Sequence, residues 1–410
     1  MYLATTRSTD ASRPSGTAAR AVPPTILGLG LVSLVTDVSA EMVTAVLPLY
    51  LVYGVGAGFL QLGMIEGLYA TATAVLRVAG GYVADRLGRL KAVATVGYAL
   101  SAVAKLGLPL AGGSLAGLGA VLTVDRAGKG IRTGPRDAMI TMAAPADRLG
   151  RAFGVHRAMD TTGAMLGPLA AAGLVALAVG YDAVFVTSFS LGIVGVLILL
   201  FFVRVPAVVA APRHRLAPRV VLSVLNLPAV RRTWLAAGLL GLFTVGDMVL
   251  YVAIQQRAAL PTAVLPLLPL ATAITFLAAA APVGRLADRW GRWRIFLAGH
   301  GLLLAAYLLV GFTTIGWPAA VLALGLHGLF YAATDGVLMA HVGPLIPEAL
   351  RATGLAAVQT VQTLARAAGA VGFGATLQAA GPQWAFAVLA VVLGLAIIVG
   401  AAPRRQGDTP

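Results

Sequence analysis

The sequence predicts an all-α membrane protein with about twelve transmembrane helices in two pseudo-symmetric six-helix bundles. Three observations lead to this prediction. Of the 410 residues, 59% are hydrophobic and only 11% are charged, whereas roughly a quarter of a soluble protein is charged. The apolar residues form about twelve runs of about the 20 residues that cross a bilayer. A motif in the first half also recurs about two hundred residues later, which indicates an internal repeat.

The apolar runs place the predicted helices along the whole chain. In the first half they occupy 25–52, 57–84, 90–111, 114–143, 149–179 and 182–204. In the second half they occupy 233–256, 260–286, 293–313, 317–344, 349–379 and 382–403. Most connections are short, so neighbouring helices are expected to pack antiparallel. Strands of a membrane β-barrel have about ten residues of alternating polarity, a pattern that these runs lack.

The runs divide the chain into five parts. A polar tail, 1–24, precedes the first bundle, 25–204, whose first run is too long for the core of a signal peptide. A proline-containing linker, 205–232, leads to the second bundle, 233–404, and a short tail, 405–410, closes the chain. The linker and both tails are expected to be cytoplasmic.

The basic residues support this orientation. The net charge of +15 could indicate a nucleic-acid surface, but Lys and Arg concentrate in the first tail and in every second connection, with Arg257 as an exception. That alternation is the positive-inside pattern of membrane proteins. It predicts a multi-pass protein of the cell (inner) membrane, in contact with lipid and not with nucleic acid, with both termini in the cytoplasm.

The repeated motif joins the second and third runs of each half. Residues 81–89 and 284–292 both have the pattern G-x-x-A-D-R-x-G-R. The motif resembles the signature loop of the major facilitator superfamily of secondary transporters, and the resemblance extends over roughly 25–404. The family usually has two basic residues after the second glycine, whereas Leu90 and Trp293 follow the first basic residue here. The resemblance implies a transporter but no particular substrate.

The resemblance also implies that the aspartate of the motif helps to latch the cytoplasmic side in the outward-open state. The glycines are expected to permit a tight turn, and the arginines to contact helix ends, acids or lipid headgroups. The predicted latch residues are Gly81, Asp85, Arg86, Gly88 and Arg89, with Gly284, Asp288, Arg289, Gly291 and Arg292 in the second copy.

Charged residues inside the predicted helices are the candidates for substrate binding and proton coupling, because an ionisable group in a membrane needs a partner, a water-filled cavity or a function. In the first run, Asp37 and Glu41 are four residues apart and share a helix face. Two carboxylates this close do not both ionise easily, which suits a proton-coupled carrier, although fixed cations could instead neutralise both. Asp247 in the seventh run mirrors Asp37 and is a further candidate.

The fourth run contributes cations. Arg126, Lys129 and Arg132 lie at helical intervals on one side. The R-x-x-x-G pattern that begins at Arg126 resembles the fourth-helix motif of the superfamily, whose arginine is linked to proton coupling. Lys129 stands where that motif usually has glutamine, which indicates a more cationic site. Arg136 and Asp137 are expected to anchor the cytoplasmic end of the helix.

The fifth run combines ionisable residues with a glycine motif. His156 and Asp160 are four residues apart, and Asp160 is expected to pair with the cations of the fourth run. The stretch Gly163-x-x-x-Gly167-Pro168 resembles the fifth-helix motif of proton-antiporting exporters, which implies efflux. The alternative is a flexible kink that serves helix packing.

These observations favour a proton-coupled exporter of small organic molecules that acts as a monomer. The sequence contains no P-loop, G-x-S-x-G or metalloprotease motif, so we expect neither an enzyme nor an ATP-driven pump, and no cofactor. The three cations of the fourth run support an alternative, the proton-coupled uptake of an anionic or zwitterionic nutrient. Divalent metal efflux through Asp37, Glu41, His156 and Asp160 is a weaker alternative, since the chain has no cysteine. A receptor or assembly factor would leave the buried charges unexplained.

Overall fold

The structure of the protein is a computed structural model. It describes residues 23–87, 89–144, 149–177, 180–204, 223–312, 316–347 and 351–402, with side chains except at 77–87, 149–151, 351–353 and 356. Both predicted tails and most of the predicted linker therefore lie outside the described residues.

The first half contains six long helices in its described part. The first, α1, spans Pro24–Leu49 and continues through a π-helical turn, Tyr50–Gly54. The others are α2 (Phe59–Leu87), α3 (Leu90–Ala104), α4 (Leu115–Ala143), α5 (Leu149–Ala176) and α6 (Tyr181–Phe202). A short helical turn, Gly107–Leu110, extends α3.

The second half repeats this order with two interrupted helices. Its helices are α7a (Pro228–Leu242), α7b (Asp247–Arg257), α8 (Leu268–Trp290), α9 (Arg292–Phe312), α10a (Trp317–Thr334) and α10b (Val337–Val342). The last helical stretch, Arg351–Ala401, is divided at Gly381, whose φ of 77° is left-handed. Glycine adopts this conformation without steric cost, so α11 covers 351–380 and α12 covers 382–401.

The described helices match the predicted membrane segments. Among the described residues, eight segments are long and apolar enough to cross a membrane, and one of them, Ala357–Ala401, covers most of α11 and all of α12. α3 has 15 residues and is shorter, while α4 and α5 carry many of the ionisable residues considered above. No strand occurs within the described ranges. The predicted all-α fold is therefore confirmed.

The seventh helix differs from the prediction in two ways. It begins at Pro228, inside the predicted linker, where the proline occupies the first turn. It also breaks between Leu242 and Asp247. The hydroxyl of Tyr307 on α9 accepts from the Val245 N–H at 2.7 Å and donates to the Phe243 carbonyl at 3.2 Å. A neighbouring helix thus satisfies backbone groups that the break frees, as membrane proteins require.

The two halves meet closely at one end of the molecule. We call the end where α1 begins and α12 ends the terminal end, and the opposite end the far end. At the far end, the Tyr53 hydroxyl donates to Gln255 at 2.6 Å and the Leu60 N–H donates to Gln378 at 3.1 Å. Gly63 on α2 also packs against the α11 backbone, because a Cβ there would overlap the Ala370 carbonyl. Small residues permit this close approach of helices.

The signature motif is more helical than predicted. Gly81, Asp85 and Arg86 lie within α2, and Gly284, Asp288 and Arg289 lie within α8. The predicted tight turn at Gly81 is therefore wrong, since the helix continues through it. In the second copy, Gly291 alone joins α8 to α9, with a φ of 98°. Gly88 lies outside the described residues, and so do the side chains of Asp85 and Arg86.

The second copy of the motif makes its contacts inside its own half. Arg292 Nη2 lies 2.9 Å from Asp288, and Arg292 Nη1 donates to the Ala340 carbonyl of α10b at 2.7 Å. In the first copy, Arg89 lies between α2 and α3 and is exposed. The nearby Lys91 donates to the carbonyls of Leu200 and Val203 at the end of α6. These contacts join helix ends within each half.

Candidate functional site

A row of ion pairs connects α4 with α1 and α5. Lys129 Nζ lies 3.6 Å from Glu41, and Arg132 Nη2 lies 3.7 Å from Asp37. One turn further along α4, Arg136 Nη1 lies 3.9 Å from Asp160 of α5. The predicted pairing of Asp160 with a cation of the fourth helix is thus present in the structure, with Arg136 as the cation. Each of these carboxylates has a basic partner.

Asp37 and Asp160 are also linked to each other. The hydroxyl of Ser33 on α1 lies 2.7 Å from an oxygen of Asp160 and 3.4 Å from an oxygen of Asp37. Asp160 lies 3.7 Å from Arg157 on its own helix as well. One hydroxyl therefore bridges two acidic residues that the sequence separates by more than a hundred positions.

A second, deeper cluster surrounds Asp125. Arg126 Nη2 lies 2.8 Å from Asp125, Lys105 Nζ lies 3.8 Å away, and the Ser101 hydroxyl donates to Asp125 at 2.5 Å. The side chains of Asp125, Arg126 and Lys105 are no more than 4% exposed. The Arg126 guanidinium also covers the Tyr69 ring of α2 at 3.9 Å. Arg126 is thus held by a buried carboxylate and an aromatic face.

His156 does not join these groups as a metal ligand. It is buried, and its Nε2 has no hydrogen-bond partner among the described residues. No group of three or more His, Asp or Glu side chains that could hold a metal ion occurs in the part of the chain that the structure describes. The metal-efflux alternative therefore gains no support from the geometry.

In the second half, Asp247 is the first residue of α7b and accepts two hydrogen bonds. The Tyr331 hydroxyl donates to Asp247 at 2.7 Å, and His327 Nε2 lies 3.0 Å from the same oxygen. Arg366 of α11 lies 5.6 Å from the centroid of the Tyr331 ring. The expected likeness to Asp37 is limited, because Asp37 lies inside a continuous helix whereas Asp247 begins a new one.

A cavity of about 380 Å³ lies between the halves. It is lined by residues of α2, α4, the α7 break, α10a and α11, and its charged lining residues are Glu66, Arg126, Lys129, Asp247 and Arg366. The packing of Gly63 on Ala370 lies at its far-end side. Toward the terminal end the lining includes Gln359, which is exposed. Such a volume suits a small organic molecule.

The cavity separates the predicted site residues into two groups. Arg126, Lys129 and Asp247 line it, whereas Asp37, Glu41, Arg132, His156 and Asp160 are not among its lining residues. Of the three cations on one side of α4, Arg132 lies away from the cavity: its side chain is 5% exposed and packs over the Tyr98 ring at 4.2 Å.

Four cavity residues with charged or aromatic side chains were not among the predicted site residues: Glu66, Tyr69, Tyr331 and Arg366. Glu66 and Arg366 were detectable as charges within apolar runs. The rotation of α2 and α11, which aims them at the same cavity, is a property of tertiary packing. The two tyrosines carry no signal that distinguishes them from core aromatics.

The glycine motif of α5 lies in a helix-packing seam. A Cβ on Gly167 would come within 2.7 Å of the Glu41 Cβ, and one on Gly163 would overlap the Leu34 carbonyl. α5 is one helix from Leu149 to Ala176, with Pro168 inside it. These glycines let α5 approach the α1 backbone closely.

Comparison with known proteins identifies the family to which the chain belongs. Two overlapping stretches, 29–324 and 262–409, match the Major Facilitator Superfamily. The chain belongs to this superfamily. It is therefore a multi-pass membrane transporter, as the signature motif predicted, and not an enzyme. The predicted place in the proton-antiporting exporter branch stays a prediction.

Relatives and solved structures agree with this assignment. The uncharacterized MFS-type transporter MJ1317 of Methanocaldococcus jannaschii is 29% identical over 390 residues, which are 90% of this chain and 93% of that protein. The crystal structure of the nucleoside transporter NupG has a TM-score of 0.77 at 14% identity, and the match covers 93% of this chain and 100% of that one. The human organic anion transporter MFSD10 (TETRAN) has a TM-score of 0.66 at 17% identity, covering 92% and 99%. At these identities the solved structures establish the fold alone.

Proposed function

We propose that this transporter exports a small organic molecule across the cell membrane in exchange for protons, by alternating access of the cavity between its halves. It works as a monomer without a cofactor, and its terminal end faces the cytoplasm. The orientation is supported by the basic residues of alternate connections. The direction of transport rests on the resemblance of the Gly163, Gly167 and Pro168 motif to that of exporters.

The observation that carries the proposal is the charge content of the cavity. Two acids, Glu66 and Asp247, and three cations, Arg126, Lys129 and Arg366, line one space of about 380 Å³. Charged groups inside a membrane are costly, so they are retained where they bind ions, protons or polar substrates. Because both halves contribute charges, rocking one half against the other changes the distances between them.

The carboxylates of the first half supply a second reason for proton coupling. Asp37 and Asp160 share the Ser33 hydroxyl, so a proton on one of them replaces a repulsion with a hydrogen bond. Arg132 and Arg136 lie beside these two acids and oppose that protonation. Whether the pair binds a proton therefore depends on how close α1, α4 and α5 lie to one another. A proton-coupled carrier needs proton binding to depend on helix positions in this way.

The uptake of an anionic or zwitterionic compound with protons is the second candidate. Its support is the presence of three cations, Arg126, Lys129 and Arg366, around one cavity. Arg366 stands apart from the ion pairs of α4, because it lies over the rings of Phe330 and Tyr331 at 5.5 and 5.6 Å. A guanidinium in such a position suits a carboxylate or phosphate.

Proton flux in inside-out vesicles separates these candidates. The vesicle interior is acidified, a pH-sensitive dye reports its pH, and a panel of organic cations, anions, zwitterions and divalent metal ions is added in turn. Export by antiport predicts that at least one organic compound dissipates the gradient. The Asp37→Asn and Asp160→Asn variants are expected to reduce this response about tenfold or more, because each removes a carboxylate that the proposed coupling uses.

The control is Asp182→Asn, at the far-end start of α6 and outside the cavity lining, which is expected to respond like the wild type. If no compound moves protons in these vesicles, whereas an anionic or zwitterionic compound drives proton entry in whole cells, uptake replaces export. If neither preparation shows coupled proton movement, the proposal of proton coupling is wrong.

A further inference from the structure

Glu66 makes a contact that crosses from one half to the other. It belongs to α2 of the first half, and its Oε1 accepts from the Met248 N–H of α7b at 3.3 Å. The backbone N–H groups of Asp247 and Val249 also lie close to this carboxylate. Glu66 thus occupies the N-terminus that the break in α7 creates. A helix N-terminus carries a partial positive charge and favours an anion.

The site fits this carboxylate closely. A Cβ on Gly246 would overlap the carboxylate and would lie 2.8 Å from Oε1. Glycine at the residue before α7b therefore leaves the room that Glu66 fills. The other oxygen, Oε2, is buried and has no hydrogen-bond partner among the described residues. That second acceptor is available for a proton.

The contact lies in the surface that must separate when the far end opens. Glu66 stands between Gly63 and Gly67, which pack against the α11 backbone at Ala370 and Ala367. Opening the far end moves α2 away from α7b and α11, so it must break the bond between Glu66 and Met248. An anionic Glu66 loses a charge-assisted interaction in this step, and a protonated Glu66 loses less.

We propose that Glu66 is the residue that keeps the empty transporter from switching. As an anion it caps α7b and holds the far end closed, and we call this contact the lock. A proton, or a cationic group of the substrate, neutralises it and allows the far end to open. This inference rests on the proposed exchange function. An exchanger must switch when it carries either substrate or proton but not when it carries neither, since an empty carrier that switches dissipates the gradient.

Other charged groups around Glu66 influence whether its carboxylate is anionic, and therefore whether the lock holds. Asp247 disfavours a second negative charge beside it, while cations on α4 and α11 favour the anion. The titratable or charged groups that line the cavity with Glu66 are Tyr69, Arg126, Lys129, Asp247, Tyr331 and Arg366, and Tyr251 of α7b also interacts with it. Because Glu66 is not the only ionisable group at this cavity, a pH response alone does not show that Glu66 causes it. Substitutions of Glu66 and of the residues that it contacts are therefore needed.

The absence of cysteine from the chain permits a direct test. Ala370→Cys places the only thiol at the cavity beside the far-end contact, where Ala370 is 1% exposed. In intact cells, a membrane-impermeant maleimide reaches this position only when the far end is open. Labelling rates are divided by those of Leu110→Cys, a far-end residue that is 84% exposed, to remove the intrinsic pH dependence of the thiol.

Two substitutions remove the lock by different routes. Glu66→Gln removes the charge and the proton site, and Gly246→Ala pushes the carboxylate off α7b while keeping its charge. Without substrate at pH 8, each is expected to raise the labelling rate at position 370 about tenfold, the effect of losing a hydrogen bond to a charged group. Gly238→Ala on α7a is the matched control, because its Cβ meets Val361 at an ordinary 3.6 Å.

The pH dependence of labelling shows whether protonation of Glu66 opens the far end. Lowering the pH protonates Glu66 and is expected to accelerate labelling at position 370 in the otherwise wild-type chain, whereas Glu66→Gln is expected to be fast at both pH values. Equal, slow labelling of Glu66→Gln and the otherwise wild-type chain overturns the inference. So does fast labelling of Gly246→Ala alone, since that result makes the lock steric. These assays need no substrate, so failure of the vesicle experiment with a normal labelling result rejects proton exchange but not the lock.

Discussion

In the first half, the acidic side chains of α1, α4 and α5 face basic ones, whereas Asp247 of the second half is held by a histidine and a tyrosine. Asp125 is 4% exposed and lies against Arg126 and Lys105. Asp247 is 41% exposed and is held by His327 and Tyr331 at the cavity. Charged residues in the membrane helices of this protein therefore have two different roles. Buried pairs in the first half hold helices together, and partly exposed acids at the interface are available to ligands.

The largest effect is expected where a buried pair loses one member. Asp125→Asn leaves Arg126 and Lys105 as buried cations without their carboxylate, which typically costs about 3–5 kcal/mol. We expect poor accumulation in the membrane and a much lower melting temperature in detergent. Asp137→Asn is the control, because its partly exposed pair with Arg136 should contribute less than about 1 kcal/mol. Equal melting temperatures for the two variants would show that the Asp125 cluster is not structural.

A smaller effect is expected at the seam between α5 and α1. Gly163→Ala puts a Cβ against the Leu34 carbonyl, so α5 must move away from α1, at a cost of about 1–3 kcal/mol. Gly173→Ala on the same helix has open space around its Cβ and is expected to be neutral. Thermal unfolding of both purified variants measures the difference. A flexible-kink role for the motif would instead lower transport by Gly163→Ala with no change in melting temperature.

The sequence was sufficient to predict the fold. Runs of apolar residues marked most helix ends to within a few residues, because the bilayer imposes a minimum length on each helix. The repeated motif identified the family through residues such as Asp85 and Asp288. The break in α7 was not predicted, because no proline lies within 243–246, and the interruption depends on the Tyr307 hydroxyl of another helix.

The site was only partly predictable. Helical spacing placed Arg126, Lys129 and Arg132 on one side of α4, and the ion pairs with Asp37 and Glu41 agree with that arrangement. Spacing within one helix does not show which neighbour the side faces. The cavity residues Glu66 and Arg366 come together only when both halves are assembled, and single-helix patterns contain no information about that assembly.

The most direct test of the account asks whether the interface cavity, and not the first-half charge cluster, holds the transported compound. Thr363→Cys introduces a thiol at the cavity wall on α11, and Ser190→Cys introduces one on the exposed face of α6. Both residues donate their hydroxyl to the carbonyl four positions earlier, so the substitutions are matched. The measurement is the rate of maleimide labelling with and without the compound that moves protons in vesicles. The account predicts that the compound slows labelling at position 363 and not at 190, and that labelling at 363 abolishes the proton response. Unchanged labelling at 363, with a full proton response after modification, would contradict it.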